Sequence, residues 1–362
     1  MSNRVWDILD MGILHHQIVQ DLQGPPKVNV VELFVSDRCP LKCRHCFHAD
    51  VHSIEPSLSV EEWKFVIDQF LDLGVRHFHV AGREPFTEVA TMSILTYLAE
   101  KKNIHDLKFG VISNGLNCRK YLRELRDLNL DYLEISLDGL EDTHNYLRGN
   151  RIHHHVIETL KEALLLLGNH RVSTATVLHR SNVSEIPEFI CSLGELGIRR
   201  FFFQPIEPVG YALGLTKLLL DPVEYRRSII QIRDLLASPS YQKRPASIVF
   251  YVPSEMVRVL CMGESWLEDE LYRCLMGTLA ITAQGPTRLL LDFEAVRAPY
   301  WNHVVITEDG YLIERCSSRS TQQYREQSIG NAVRTPIADL MKTARSMSAD
   351  YLVKHLINLL PL

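Results

Sequence analysis

No stretch of the 362-residue sequence approaches the roughly 18 uninterrupted apolar residues of a membrane-spanning helix. Met1 to Asp10 has neither a basic start nor an apolar run followed by small residues, so no export signal is expected. A cytoplasmic chain with no membrane partner is the expectation. Cysteine is sparse: 8 in the chain are too few for a disulfide scaffold, and in a reducing compartment clustered thiols point to metal or redox chemistry. A basic surplus is missing as well. The 39 Lys and Arg against 44 Asp and Glu leave a net charge of -5 with both signs interleaved, which argues against nucleic acid as a partner. Repeats, low-complexity tracts and long charge blocks are absent, so the architecture has to come from hydrophobic periodicity.

After an amphipathic stretch, Val5 to Leu22, and a Gly24-Pro25-Pro26 break, short β-rich runs alternate with longer helical ones. Strands are expected at Val28–Val35, His77–Ala81, Lys108–Ser113, Tyr132–Leu137, Val172–Leu178 and Arg200–Gln204. Helices are expected at Val60–Leu73, Val89–Lys101, Arg119–Leu128, Ile152–Leu167 and Ser184–Leu196. Ser59 three residues before Glu62 has capping-box spacing, and Gly74, Gly168 and Gly197 are helix stops. Strand-then-helix units in one order imply parallel pairing with right-handed crossovers. About 180 residues is too short for the eight units of a full barrel, so the expectation is α/β: a partial (β/α)6 TIM-like barrel over 28–215, after an N-terminal helical segment, 1–27. From 216 to 362 the rhythm changes. Helices near 222–237 and 254–272, strands near 286–292, 302–307 and 311–315, and closing helices near 336–358 suggest a smaller α+β extension against the open edge of the barrel.

In parallel α/β folds the reactive groups collect where strands end. The first strand leads into Asp37-Arg38-Cys39-Pro40-Leu41-Lys42-Cys43-Arg44-His45-Cys46-Phe47-His48, the second into Gly82-Arg83-Glu84-Pro85. The third ends in Ser113-Asn114-Gly115, the fourth in Ser136-Leu137-Asp138-Gly139, and the sixth in Gln204-Pro205. Cys39, Cys43 and Cys46 cannot all pair as disulfides, but their thiolates can converge on one metal centre. Two centres suit the spacing. One is a structural Cys3His zinc with His45 or His48 as the fourth ligand. The other is an iron–sulfur cube with one iron left open for a small molecule, and the position of the loop at a rim favours it.

Cys39-x3-Cys43-x2-Cys46 after a first strand, followed by Gly82-Arg83-Glu84-Pro85, Ser-Asn-Gly and Ser-Leu-Asp-Gly strand ends in order, resembles the radical S-adenosylmethionine (SAM) superfamily. The resemblance covers about 28–215 well and the rest loosely. It implies a [4Fe-4S] cluster on Cys39, Cys43 and Cys46, with SAM on the open iron. SAM would be cleaved by one electron, from a donor such as flavodoxin or ferredoxin, to a 5'-deoxyadenosyl radical that abstracts a substrate hydrogen. Residue by residue, it implies that Glu84 meets the amino group of SAM, that Ser136 and Arg148 hold its carboxylate, that Asn114 and Asp138 reach the ribose, and that His45 contacts adenine. Phe47, Gly82, Arg83 and Gln204 complete the implied cofactor-binding set. The motif normally carries two glycines, and Ala81 or Arg83 stands in for one of them here.

Cys118 and Cys191 sit on expected helices among apolar neighbours and read as structural. Cys261, Cys274 and Cys316 fall in the extension. Cys274 to Gly277, a strand pair closing on Gly310 to Cys316, and Gly330-Asn331 resemble a shortened SPASM or twitch domain, which holds auxiliary clusters. Cys316-Ser317-Ser318-Arg319 lacks the closing Cys-x-x-Cys, so the resemblance implies either one three-thiolate auxiliary cluster or a thiol that donates a hydrogen atom to a substrate radical. His153-His154-His155 points in different directions on a helix and reads as a solvated face, while Phe201-Phe202-Phe203 fits a buried strand.

The leading expectation is a maturase of a ribosomally made precursor peptide, by crosslinking, epimerisation or backbone rearrangement. Only 38 residues precede Cys39, fewer than a winged leader-binding domain needs, which suggests a separate leader-peptide-binding protein. The alternatives are a radical dehydrogenase or epimerase of a small, aminosugar-like substrate and, outside the superfamily, a zinc-stabilised α/β binding module.

Overall fold

The computed structural model describes residues 28–48, 52–53, 55–149, 151–238, 241, 246–253, 256–261, 266–267, 282–284, 287–293, 303–313 and 322–344. In chain order these form β1 (Val30–Phe34), α1 (Val60–Asp72), β2 (His77–Ala81), α2 (Ala90–His105), β3 (Lys108–Ser113), α3 (Leu122–Asp127), β4 (Tyr132–Ser136), α4 (Glu141–Arg148) and α5 (His153–Leu167). There follow β5 (Val172–Leu178), α6 (Ile186–Leu196), β6 (Arg200–Pro205), α7 (Pro222–Ala237), β7 (Ser247–Val252) and α8 (Val257–Cys261). The last strands are β8 (Thr282–Gln284), β9 (Thr287–Phe293), β10 (His303–Ile306), β11 (Tyr311–Ile313) and β12 (Gly330–Asn331). The expected segment 1–27 lies outside the described residues, as does the expected helix beyond residue 344. No helix among the described residues is long and apolar enough to cross a membrane.

The six expected barrel strands pair in parallel, each with the next, from β1 to β6. Their alternation follows the two-residue period of a strand. Leu133 and Ile135 of β4, with Phe201 and Phe203 of β6, are buried with the helices in one core, and the residues between them face the other side. Helix ends follow the expected chemistry. Ser59 Oγ accepts from the Glu62 amide while Glu62 accepts from the Ser59 amide, closing the capping box on α1. Asp221 and Glu224 repeat it on α7.

Past residue 216 the sheet continues. β7 joins β6 in parallel and β9 joins β7, with β8 antiparallel outside it. At the other edge β10 lies parallel to β1, followed by the antiparallel β11 and β12. The described strands make one sheet of order β12-β11-β10-β1-β2-β3-β4-β5-β6-β7-β9-β8. The strands of the extension thus lengthen the barrel sheet at both edges, rather than standing apart from it.

The face turned away from the helices is polar over its lower half. His303 Nε2 lies 3.4 Å from Glu32 Oε2, and the His79 ring lies 5.3 Å from the Tyr132 ring. Glu134 accepts from Ser173 Oγ at 3.4 Å, and burial lifts its pKa to about 7. Gly110 makes room for Tyr132: a Cβ there would lie 2.4 Å from the ring.

Candidate active site at the cysteine loop

Residues 35–48 leave β1 and carry all three clustered thiols. The Gly82 approach shapes their entry. A Cβ on Gly82 would stand 2.9 Å from the Ser36 carbonyl oxygen, and the Arg83 amide donates to that same oxygen at 2.8 Å. Arg83 Nη1 also donates to the Asp37 carbonyl at 3.2 Å. Gly82 is therefore the glycine of the Gly-Arg-Glu-Pro segment that the close packing requires.

Two other segments grip the loop from outside, the end of α4 and the stretch after β6. Its Arg44 amide donates to the Leu147 carbonyl at 2.8 Å, and Arg44 Nε to the Tyr146 carbonyl at 2.9 Å, both at the end of α4. On the β6 side the Tyr211 amide donates to the Cys46 carbonyl at 3.0 Å, and Gly210, at φ +60°, leaves no space for a side chain against Phe47.

Cys43 is buried, and Cys39 and Cys46 are half-buried. Burial pushes the Cys43 thiol up to about 12 against the pull of Arg148, and Cys46 and Cys39 push it in the same upward direction. Burial likewise raises Cys39, whose Sγ accepts from the Leu41 amide at 3.4 Å and from Asn114 Nδ2 at 3.6 Å. Three thiols within one another's field, two of them raised by burial, form a donor set that a soft metal centre would deprotonate and bind.

The two histidines offered for zinc have neighbours besides the thiols. His48 packs against Phe34 and Phe47, with ring centroids 4.5 and 3.9 Å away. His45 Nε2 lies 3.9 Å from Asp138 Oδ2. Among the described residues, no group of three His, Cys, Asp or Glu side chains is arranged around a single metal ion.

Glu84 is fully buried. Its carboxylate accepts from the Asn114 amide at 2.8 Å, Ser113 Oγ at 3.0 Å and the Phe86 amide at 3.2 Å. Burial still raises its pKa to about 7, above what those bonds offset. Arg148 and Asp138, assigned by resemblance to opposite ends of one ligand, form a single buried ion pair: Arg148 Nε donates to Asp138 Oδ2 at 2.6 Å. Burial opposes ionisation of Asp138, yet the guanidinium of Arg148 and then His45 hold it well below the usual carboxylate range. Asp138 Oδ1 also accepts from the Val177 amide at 3.0 Å.

Ser136 is half-buried on β4, on the face away from the helices, and Gln204 is half-buried on the same face of β6. Asn114, though tied to Cys39, also accepts from the Leu116 amide at 3.0 Å, the turn role its sequence position allows.

Two site residues have no role assigned from the sequence, although His179 stands at the fifth strand end. His144 Nδ1 accepts from the Asp138 amide at 3.1 Å, and His179 flanks the same carboxylate. His144 sits on α4, which has too few apolar residues to show periodicity. Its signal was the Leu-Asp-Gly turn followed by acidic residues, a helix-start pattern. His45 Nδ1, His144 Nε2 and His179 Nε2 are buried with no hydrogen-bond partner, an arrangement that leaves ring nitrogens for a bound polar molecule. Burial lowers the pKa values of His45 to about 4 and His144 to about 3, so both are neutral near pH 7.

Of the remaining cysteines, Cys118 is buried and burial pushes its pKa up to about 12, while Cys191 is half-buried on α6. Cys261 ends α8, and Cys274 and Cys316 lie outside the described residues.

Residues 33–191 match the family model of the Radical SAM superfamily. The chain carries a radical SAM domain. Domains of this family use a [4Fe-4S] cluster and SAM. The chain is 31% identical to GTP 3',8-cyclase 2 of Pseudomonas aeruginosa over 117 residues, 32% of this chain and 35% of that protein. It is 25% identical to PqqA peptide cyclase of Bradyrhizobium diazoefficiens over 287 residues, 76% of this chain and 71% of that protein. The fold is shared with Streptococcus suis SuiB bound to precursor peptide SuiA, with a TM-score of 0.68 at 17% identity over 92% of this chain and 70% of that one. Against the first of these proteins the match spans about a third of its length.

Proposed function

We propose that this radical SAM domain modifies a ribosomally made precursor peptide, with Cys39, Cys43 and Cys46 holding the cluster. The observation that carries the reading is the similarity to PqqA peptide cyclase. It runs over 287 residues, more than the first 215 can supply, and so takes in both barrel and extension. When bound, cluster and SAM supply abstraction of a hydrogen atom from carbon. The residues of the chain supply position and charge. Glu84 offers a buried carboxylate to the amino end of SAM, already oriented by three hydrogen bonds. Arg148, fixed by Asp138, places its positive charge beside the thiols and offers donors to a carboxylate. His45 and His144, neutral and buried, present ring nitrogens without adding charge. Flavodoxin or ferredoxin fits the role of electron donor.

A second reading, a small-molecule substrate, is favoured by the similarity to GTP 3',8-cyclase 2. One experiment separates them. The anaerobically reconstituted chain is incubated with reductant, SAM and either peptides encoded beside its gene or purine nucleotides. Deoxyadenosine release stimulated by a peptide, with a mass change in that peptide, is expected. Cys43→Ala should lose both the visible absorption of the cluster and deoxyadenosine release. Stimulation by the nucleotide alone would favour the second reading, and unaltered release in Cys43→Ala would overturn the site.

A further inference from the structure

The turn between β10 and β11 reaches the cysteine loop from the far end of the sequence. Asp309, in that turn, is 2% exposed and is the hub of a network. Its carboxylate accepts from Thr307 Oγ1 at 2.6 Å, from Arg325 Nη2 at 2.6 Å and Nε at 3.1 Å, from Tyr324 OH, and from Ser53 Oγ at 2.9 Å. Asn331 Nδ2 holds its backbone carbonyl at 2.9 Å. Arg325 lies over the Tyr311 ring, 5.2 Å from its centroid, and Nη2 reaches Ser53 Oγ at 3.4 Å.

Ser53 is the link. The hydroxyl oxygen lies 2.9 Å from both Asp309 Oδ2 and the Glu55 carbonyl oxygen, it has one proton to give, and a carboxylate is the stronger acceptor. The Ser53 amide donates to Asp37 Oδ2 at 3.2 Å, and His52 Nδ1 lies 3.3 Å from the same oxygen. Asp37 stands two residues before Cys39, and its carbonyl is held by Arg83. A second tie runs parallel, from the Leu58 amide to the Glu308 carbonyl at 2.7 Å.

We propose that Asp309 is a positioning residue for the cysteine loop, acting through Ser53 and Asp37, so that the extension fixes the geometry of the metal ligands. A hydrogen bond between two surface loops that only docked the extension would have no reason to end on Asp37, at the base of the ligand loop. Partners hydrogen-bonded to metal ligands orient them and change affinity by about 10-fold to 100-fold when removed; Asp309 acts at a further remove, through Ser53 and Asp37, so the lower end of that range is expected. The inference rests on the cluster reading of Cys39, Cys43 and Cys46.

The test uses the full chain, reconstituted anaerobically, as parent, Ser53→Ala, Ser53→Thr and Asp309→Asn. Iron transfer to a ferrous chelator and the reduction potential of the cluster are measured, with urea unfolding alongside. Ser53→Ala should release iron about tenfold faster than the parent and shift the potential, with an unchanged urea midpoint, and Ser53→Thr should restore both. Asp309→Asn should change in the same direction and further. Should Asp309→Asn fail to fold, Ser53→Ala decides, because it leaves Asp309 with Thr307, Tyr324 and Arg325. Release and potential equal to the parent in Ser53→Ala would overturn this inference and leave the cluster assignment standing. A parent that holds no iron would overturn both.

Discussion

Gly210→Ala is the most direct test of how the cysteine loop is held. A Cβ at this position would stand 2.2 Å from the Phe47 carbonyl oxygen, 2.6 Å from its carbon and 2.7 Å from the Cys46 carbonyl oxygen. All three are backbone atoms, so no side chain can rotate away. The residue also has φ +60°, in the left-handed region, where a non-glycine residue costs about 1–2 kcal/mol. The loop after β6 must then retreat, which breaks the bond from the Tyr211 amide to Cys46 and adds about 1–3 kcal/mol. Restricting the unfolded chain returns about 0.4–1 kcal/mol. A net loss of about 1–5 kcal/mol is expected from these terms, measured by anaerobic urea unfolding of the metal-free chain. Gly214→Ala is the control. It lies four residues on, has nothing within 4 Å of a Cβ, and should stay within about 0.5 kcal/mol of the parent. A Gly210→Ala midpoint equal to that of the parent would refute the close contact on which the clamp depends.

Two more predictions concern charges. Arg148→Gln leaves Asp138 buried without its cation and should cost about 3–5 kcal/mol, much of it recovered in the double variant with Asp138→Asn; additive losses in that cycle would show that the pair is not coupled. Burial lifts Glu134 to about 7, above the roughly 4.3 of an unfolded glutamate, so between those values the folded chain keeps a proton that the unfolded chain has lost. The contribution of Glu134 to stability therefore falls as pH rises through that window. Glu134→Gln should gain on the parent by up to about 3 kcal/mol between roughly pH 5 and pH 7.5, and parallel pH profiles of the two urea midpoints would exclude it.

What could be foreseen from the sequence was whatever depends on near neighbours. The six strands and the long helices carry their own period, and Ser59 and Glu62 or Gly197 mark ends through contacts three or four residues apart. The cysteine spacing was legible for the same reason. α4 was not, because eight residues with little apolar content leave no face to detect, and it is held instead by Glu185, which accepts from the Leu140 amide at 2.9 Å and Thr143 Oγ1 at 2.9 Å. β7 is not among the strands expected from the sequence, although Ser247–Val252 alternates as a strand should. It falls after the break in rhythm near Lys217, where sequence pattern alone does not say that the sheet resumes. The ion pair between Asp138 and Arg148 was also hidden: both residues were foreseen at the site, but their pairing depends on how α4 folds back over the β4 end.

The position of β1 shows why the extension matters to the rim. In a sheet of β1 to β6 alone, β1 would be an edge strand, with a row of unpaired backbone groups directly before the cysteine loop. β10 covers that edge in parallel, with Val31 opposite Val304 and Leu33 opposite Ile306, and so turns the strand that launches the loop into an interior one. Phe34, Val305, Ile313 and Tyr324 close a small apolar cluster across this seam. Tyr324 joins that cluster to Asp309, and Asp309 reaches Ser53, so apolar packing and polar network meet in one side chain. Rigidity at Cys39 is accordingly set by residues some 270 positions away in the chain, and truncating the extension would expose a strand edge and loosen the ligand loop in the same stroke.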